Sequence, residues 1–333
     1  MRHSYNTIDL MKMTAAILVV AIHSQPFSGL TEVIVINLFA RIAVPFFFVA
    51  SAFFFFKKPV EQQNLQGYVR RLAILYAFWF IIELPITILH SFVEPQTPFI
   101  INLLKFFKNI FFGSTFYGSW FIVALIECIP IISILSRRIG NKTMFSIALL
   151  IYSLVVLSTY YIAFLPDSLQ EFVYRCQNIV GHVEITWMSA FIFCLIGKYI
   201  AEHESQLVKQ SYSLTGLIFL LSIIEVFAVN SLKPPTTNDF YFMLVPLVTT
   251  IFILLLQHES KYNLNYKQLR IYSTLFFFSH FIFVFILVVI NKHIMPINPL
   301  VKYGLVLVFC LITSFTIHQL SLKKKFKWLS YSY

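Results

Sequence analysis

Charge is what this chain has least of: only 12% of its 333 residues are charged, and Asp and Glu together number 14. A water-soluble domain of that length needs charge to cover its surface, and 59% hydrophobic residues leave too little polar surface to do so. Glycine is also scarce, at 9 residues, and none are grouped into a phosphate-cradling loop. A G-x-S-x-G nucleophile elbow is missing as well. The 4 cysteines are scattered, three of them (Cys128, Cys194, Cys310) inside apolar runs and Cys176 alone in a polar stretch. That spacing excludes a disulfide framework and a paired-cysteine metal site, so no metal is expected. There is no internal repeat. The net charge of +11 is not a nucleic-acid footprint, because the basic residues fall in short clusters between apolar segments, where membrane topology explains them.

What the chain does have is apolar length. A span of about 30 Å of hydrocarbon needs about 20 residues at about 1.5 Å each. About ten stretches approach that, near 8–28, 34–56, 68–91, 118–137, 143–163, 185–202, 211–230, 238–257, 270–290 and 298–320. The fold class is therefore all-α, a polytopic membrane helix bundle forming a single domain over 1–333 with a short basic tail. The first run sits where a signal peptide would, yet it is long, holds His23 and lacks a cleavage motif, so it reads as a retained helix. Lysine and arginine alternate between loops. Lys57, Lys58, Arg70 and Arg71, then Arg137, Arg138 and Lys142, then Lys198 and Lys209, then Lys261, Lys267 and Arg270, and last Lys323, Lys324, Lys325 and Lys327 all fall on one side. Both termini are accordingly expected to be cytoplasmic. The exception is the third connection, where Lys105 and Lys108 would lie outside. There Pro95 to Gly118 reads as an interfacial amphipathic segment with Phe106, Phe107, Phe111 and Phe112.

Ionisable residues inside such runs are the functional candidates, because each survives only in a protein interior or a wet cavity. Asp9, Lys12, His23, Arg41 and Ser51 share the first hairpin. Eleven residues separate Lys12 from His23, so the two lie on one helix face within about 20° and roughly 16 Å apart. Asp9, one turn before Lys12, is its available ion partner. A plain reading also exists for each: Lys12 snorkels, Asp9 starts the helix, and His23 is a satisfied structural group. Arg41 needs a carboxylate, carbonyl or bound anion, and Pro45 behind it frees a backbone carbonyl and permits a kink. Arg70 and Arg71 suit an anionic phosphate donor, although topology alone accounts for them. Glu83, Glu127 and Glu225 are single carboxylates without a partner assignable from sequence. Arg175, with Asn178 in the outer loop before the sixth span, suits a substrate or lipid headgroups. His280 lies midway along the ninth span.

The segments Asp9-Leu-Met-Lys12 with His23, Arg41-Ile-Ala-Val-Pro-Phe-Phe-Phe-Val-Ala-Ser51 and Arg70-Arg71-Leu-Ala-Ile-Leu-Tyr76 resemble the integral-membrane acyltransferase 3 family. The likeness continues through 113–125, 191–197 and 273–280 and so covers most of the chain in order. It implies ten or so membrane helices and an enzyme that moves an acyl group, acetyl in the expected case, from cytoplasmic acyl-CoA to a hydroxyl of a cell-envelope glycan. Acyl-CoA would be a co-substrate, with no cofactor held permanently. Carried over residue by residue, the resemblance makes Lys12, His23, Arg70 and Arg71 functional positions. The resulting expectation is a catalytic group of His23, Lys12 and Asp9, a coenzyme site at Arg70 and Arg71, and an acceptor side of Arg41, Ser51, Trp120, Arg175 and His280. Lys12 stands where arginine is more usual, and Tyr117-Gly-Ser-Trp120 stands where a His-Leu-Trp pattern is frequent, which removes a histidine from that position. Lys12 and the Val-Pro-Phe-Phe-Phe block look most like the branch holding the membrane domain of vancomycin-resistance serine racemases. That branch implies the alternative, a transporter of a small, serine-like amino acid. The expected surroundings are a bacterial plasma membrane and an envelope glycan or small hydroxyl acceptor; a homo-oligomer is compatible with the sequence.

Overall fold

A computed structural model describes residues 5–93, 97–111, 113–207, 212–233, 235, 237–258, 260 and 262–333. Pro95, Phe112, Lys209 and Lys261 lie outside the described residues. Among the described residues all regular structure is helical, in a membrane helix bundle. Its helices are α1 (Asn6–Ser24), α2 (Gly29–Phe56), α3 (Gln62–Val93), α4 (Phe99–Phe111), α5 (Ser119–Leu135) and α6 (Asn141–Ser158). They continue with α7 (Asp167–Val180), α8 (Trp187–Leu207), α9 (Tyr212–Leu232), α10 (Leu244–Gln257), α11 (Tyr266–His293) and α12 (Pro299–Ser321). Seven of these (α1, α2, α3, α6, α9, α11, α12) are long and apolar enough to cross a membrane, while α5 and α10 are apolar but shorter. The twenty-one residues of α8 carry Lys198, Glu202 and Glu204; Ser189 to Lys198 are buried, whereas Glu202 at its C-terminal end is exposed. Together these helices occupy the ten stretches anticipated from hydropathy.

Local chemistry sets the boundaries. Gln25 ends α1 in the left-handed conformation, and Pro26 beside it cannot continue the helix. Pro45 has no N–H for the carbonyl four residues earlier, that of Arg41. The turn before it is correspondingly irregular, π-helical over Val33–Phe39 and a 3-10 turn over Ala40–Ile42, before α2 becomes regular from Ala43. The expected kink thus appears as a rewound stretch around Arg41.

The regular half of α2 is the hub. Phe46, Phe48, Val49 and Phe53 join a core with α5, α6, α8 and α10, while Ala43 and Phe47 join a second core with α1, α11 and α12. Gly197 lets α8 lie directly on α2: a Cβ there would sit against the Val49 carbonyl and 2.8 Å from the Ala52 Cβ. Small residues at such crossings substitute for the hydrophobic driving force that lipid does not supply. Outward faces carry Ile81, Leu150, Leu217, Ile286 and Ile312, all exposed, as lipid requires.

The expected amphipathic segment is helical as α4, with Lys105 exposed and Phe106 packed 5.6 Å from Phe92. Two expectations change. Arg175 lies on a helix, α7, instead of in a loop. The basic tail is not a loose appendage: Lys324–Ser332 winds as 3-10 turns, Leu329 and Ser332 are buried, and the buried Trp79 donates to the Ser332 carbonyl at 3.0 Å. The two described chain ends share one end of the bundle. The Tyr5 hydroxyl donates to Glu204 at 3.2 Å, which also pairs with Lys57, and Tyr333 stands in one wall with Lys12 and Lys58.

Candidate functional site

Polar groups gather at both ends of α1. At the end near Lys12 a cavity of about 670 Å³ opens between α1, α2, α3, α5 and α11. Its rim holds Lys12, Lys58, Arg71 and Arg270, with Ser51, Gln63 and Asn64 among them. Its deeper wall is aromatic, formed by Phe47, Phe121, Phe277 and Phe278. Asp9, only 2% exposed, is held there by Arg270, whose Nε reaches its two carboxylate oxygens at 3.0 and 3.1 Å and whose terminal nitrogen reaches one at 2.6 Å. Lys12 stands 3.8 Å from the same carboxylate, with its ammonium 4.5 Å from the centre of the Phe54 ring. One buried carboxylate therefore fixes two of the four rim cations, and Arg71 and Lys58 add further positive charge beside them. Burial, and then the Glu204 carboxylate, push the Tyr5 hydroxyl at this end up to about 12, so it remains a donor to Glu204.

At the other end, the His23 ring lies exposed at the C-terminus of α1, 5.3 Å from His280 and 4.6 Å from Phe281. His280 is fully buried, with its Nδ1 2.9 Å from the Phe276 carbonyl. A carbonyl only accepts, so Nδ1 carries the hydrogen, and Nε2 has no partner among the described residues. Phe281 is pressed against Gly118, where φ is +77° and a Cβ would come 2.6 Å from the ring. Beside this pair, a polar pocket of about 290 Å³ is lined by Gln25, Glu32, Asn37, Arg41, Asn238 and Asp239. Arg41 pairs with Asp239, while the Arg41 Nε and Asn238 Oδ1 lack partners among the described residues. Glu225 builds this pocket from behind. It accepts from the Tyr161 hydroxyl at 2.8 Å and from the backbone N–H groups of Phe242 and Met243 at 2.8 and 2.7 Å, anchoring the segment after Asp239. Glu184 lies close by, and burial, augmented by the charge of Asp239, raises its carboxyl above the usual range.

The candidates thus divide into two groups instead of meeting in one chamber. Lys12, Asp9, Ser51 and Arg71 stand at one mouth; His23, His280 and Arg41 stand at the other. Arg70 is exposed and outside the cavity, because neighbouring helix positions point about 100° apart. Trp120 packs 5.7 Å from Phe48, and its neighbour Phe121 lines the cavity instead. Arg175 pairs with Glu171 at 2.6 Å on the exposed face of α7, away from both groups. Glu83 is fully buried, and neither carboxylate oxygen has a partner among the described residues. Arg270, Lys58 and Asp239 were missed as site residues. The first two look like ordinary loop cations, and Asp239 lies 198 positions from Arg41, beyond any local signal.

The residue pattern of a family described as an acyltransferase domain matches residues 5–319, almost the whole chain. The chain belongs to the acyltransferase 3 family. It is a membrane protein of acyltransferase type. Curated relatives include two proteins of Enterococcus faecalis named amino-acid racemase. One is 28% identical over 98% of this chain and 47% of its own length; the other is 25% identical over 78% and 37%. A serine/alanine racemase of Enterococcus gallinarum is 21% identical over 75% and 37%. The acyltransferase-family chain spans less than half the length of these relatives. No solved structure matches it.

Proposed function

We propose that this protein is an O-acyltransferase of a bacterial plasma membrane. In this reading it carries an acyl group, acetyl in the simplest case, from cytoplasmic acyl-CoA to a hydroxyl of an envelope glycan or small acceptor. The observation that carries the reading is proximity: a basic-rimmed cavity ends on Phe277, whose ring lies 6.4 Å from His280, which in turn faces His23. Lys12, Lys58, Arg71 and Arg270 hold the coenzyme's phosphates, where charge and bidentate geometry favour them. Asp9 positions Arg270 and Lys12. The aromatic wall receives the pantetheine arm. At the far end the acceptor oxygen attacks the thioester carbonyl carbon while its proton passes to an imidazole nitrogen. The C–S bond then breaks and the thiolate takes that proton, yielding ester and free coenzyme thiol. His23 is the general base, and the buried His280 orients it. With the Lys12 mouth cytoplasmic, both described chain ends are cytoplasmic too.

The test is ester content of the cell envelope in His23→Ala and Arg71→Ala strains at normal protein level. Both should lose it, and unchanged ester in both sinks the reading. For the purified protein, Arg71→Ala should weaken acetyl-CoA binding by about tenfold or more, the size of a charge-assisted hydrogen bond. The second reading, transport of a small amino acid, is favoured by the Arg41–Asp239 pocket, whose free Arg41 Nε and nearby carboxylates suit one zwitterion, and by the racemase names of the relatives. Labelled serine accumulating in proteoliposomes without acyl-CoA, and lost in Arg41→Ala, would establish it instead.

A further inference from the structure

The cavity and the imidazole pair do not connect. Phe47, Phe121 and Phe277, from α2, α5 and α11, stand in mutual ring contact, with centroids 5.0 Å (Phe121 to Phe277), 5.7 Å (Phe47 to Phe277) and 6.1 Å (Phe47 to Phe121) apart. All three face the cavity, and Phe277 is 5% exposed. On the far side of Phe277, one helical turn along α11, lies the ring of His280. The barrier is built from three rings that come from three different helices.

We propose that Phe277, backed by Phe47 and Phe121, is the gate that separates the donor cavity from the His280–His23 pair. It is a specificity-determining residue: it sets which thioesters reach the imidazoles from the cavity. This rests on reading the cavity as the donor site, but the barrier itself is testable without any acyl transfer.

The experiment uses the full chain in vesicles with the Lys12 mouth facing outward, with Cys128, Cys176, Cys194 and Cys310 replaced and His280→Cys introduced. A membrane-impermeant methanethiosulfonate is applied from that side. With Phe277 in place, labelling of the new thiol should be negligible. Adding Phe277→Ala, or separately Phe47→Ala, should raise its rate by about tenfold or more. Adding Phe309→Ala, which removes a lipid-side ring packed 5.4 Å from Phe283, should leave it unchanged. Monodisperse elution confirms folding for each variant, and Phe277→Leu supplies a milder opening. Fast labelling with Phe277 intact overturns the gate, and so does equal labelling in the Phe277→Ala and Phe309→Ala chains. Because the reagent reports passage alone, the gate and the transferase reading fail separately: lost labelling contrast with normal ester content rejects only the gate, and the reverse rejects only the chemistry.

Discussion

Asp9 is the residue whose environment says most about the rim. Its carboxylate is buried, and Arg270, itself more than half exposed, supplies its three shortest contacts. Arg270→Ala leaves that charge with Lys12 alone at 3.8 Å, so a loss of about 1–3 kcal/mol is expected, read as a lower melting temperature in detergent. Arg270→Lys should recover only part, because an ammonium cannot reproduce the bidentate fork. At the other mouth, Gly118→Ala meets both a positive φ and the Phe281 ring. A penalty of about 1–3 kcal/mol should come with lost ester formation, since the displaced ring abuts His23. Glu184 predicts a pH effect. Its folded pKa is raised by burial, so its stabilising contribution is complete below the unfolded value near about 4 and is lost as pH rises through the folded one. Glu184→Gln should therefore gain melting temperature relative to the parent as pH rises from about 4 to about 8. These residues also show what sequence reading reaches. Lys12, His23 and His280 stand out because an ionisable group in an apolar run is conspicuous. The pairings Arg270 with Asp9 and Arg41 with Asp239 span 261 and 198 positions, and no periodicity reports them.

Helices explain why the bundle tolerates so irregular an entry to α2. The rewound stretch over Val33–Ile42 contributes Ile36, Asn37 and Arg41 to the polar pocket, while the regular part from Ala43 is locked against α8. Gly197 is the keystone of that contact. Gly197→Ala pushes a methyl group into the α2 backbone and should cost about 1–3 kcal/mol or more, with loss of monodisperse protein. Gly216→Ala on α9, with nothing within 4 Å of the added carbon, is the matched control and should be silent. The apolar stretches were legible from hydropathy, and seven of their helices have the length that hydrocarbon thickness demands. α7 was not, being amphipathic and short, and the order of the tail was not, because it depends on Trp79 from a distant helix.

Across the whole molecule, α1 sets the plan: cations gather at its start and imidazoles at its end, roughly 16 Å apart along its axis. The proposed orientation has a direct check. Single cysteines at Lys105 and Lys324 should label from opposite faces of intact cells, Lys105→Cys from outside and Lys324→Cys only after permeabilisation. Labelling of both from one face would reverse or break the topology.

The Ser332–Trp79 bond leaves Tyr333 forming part of the cavity wall beside Arg71. Polypeptide joined at that point must set out from the entrance itself. An affinity tag placed there would overhang the opening and depress the apparent affinity of whatever ligand the rim attracts.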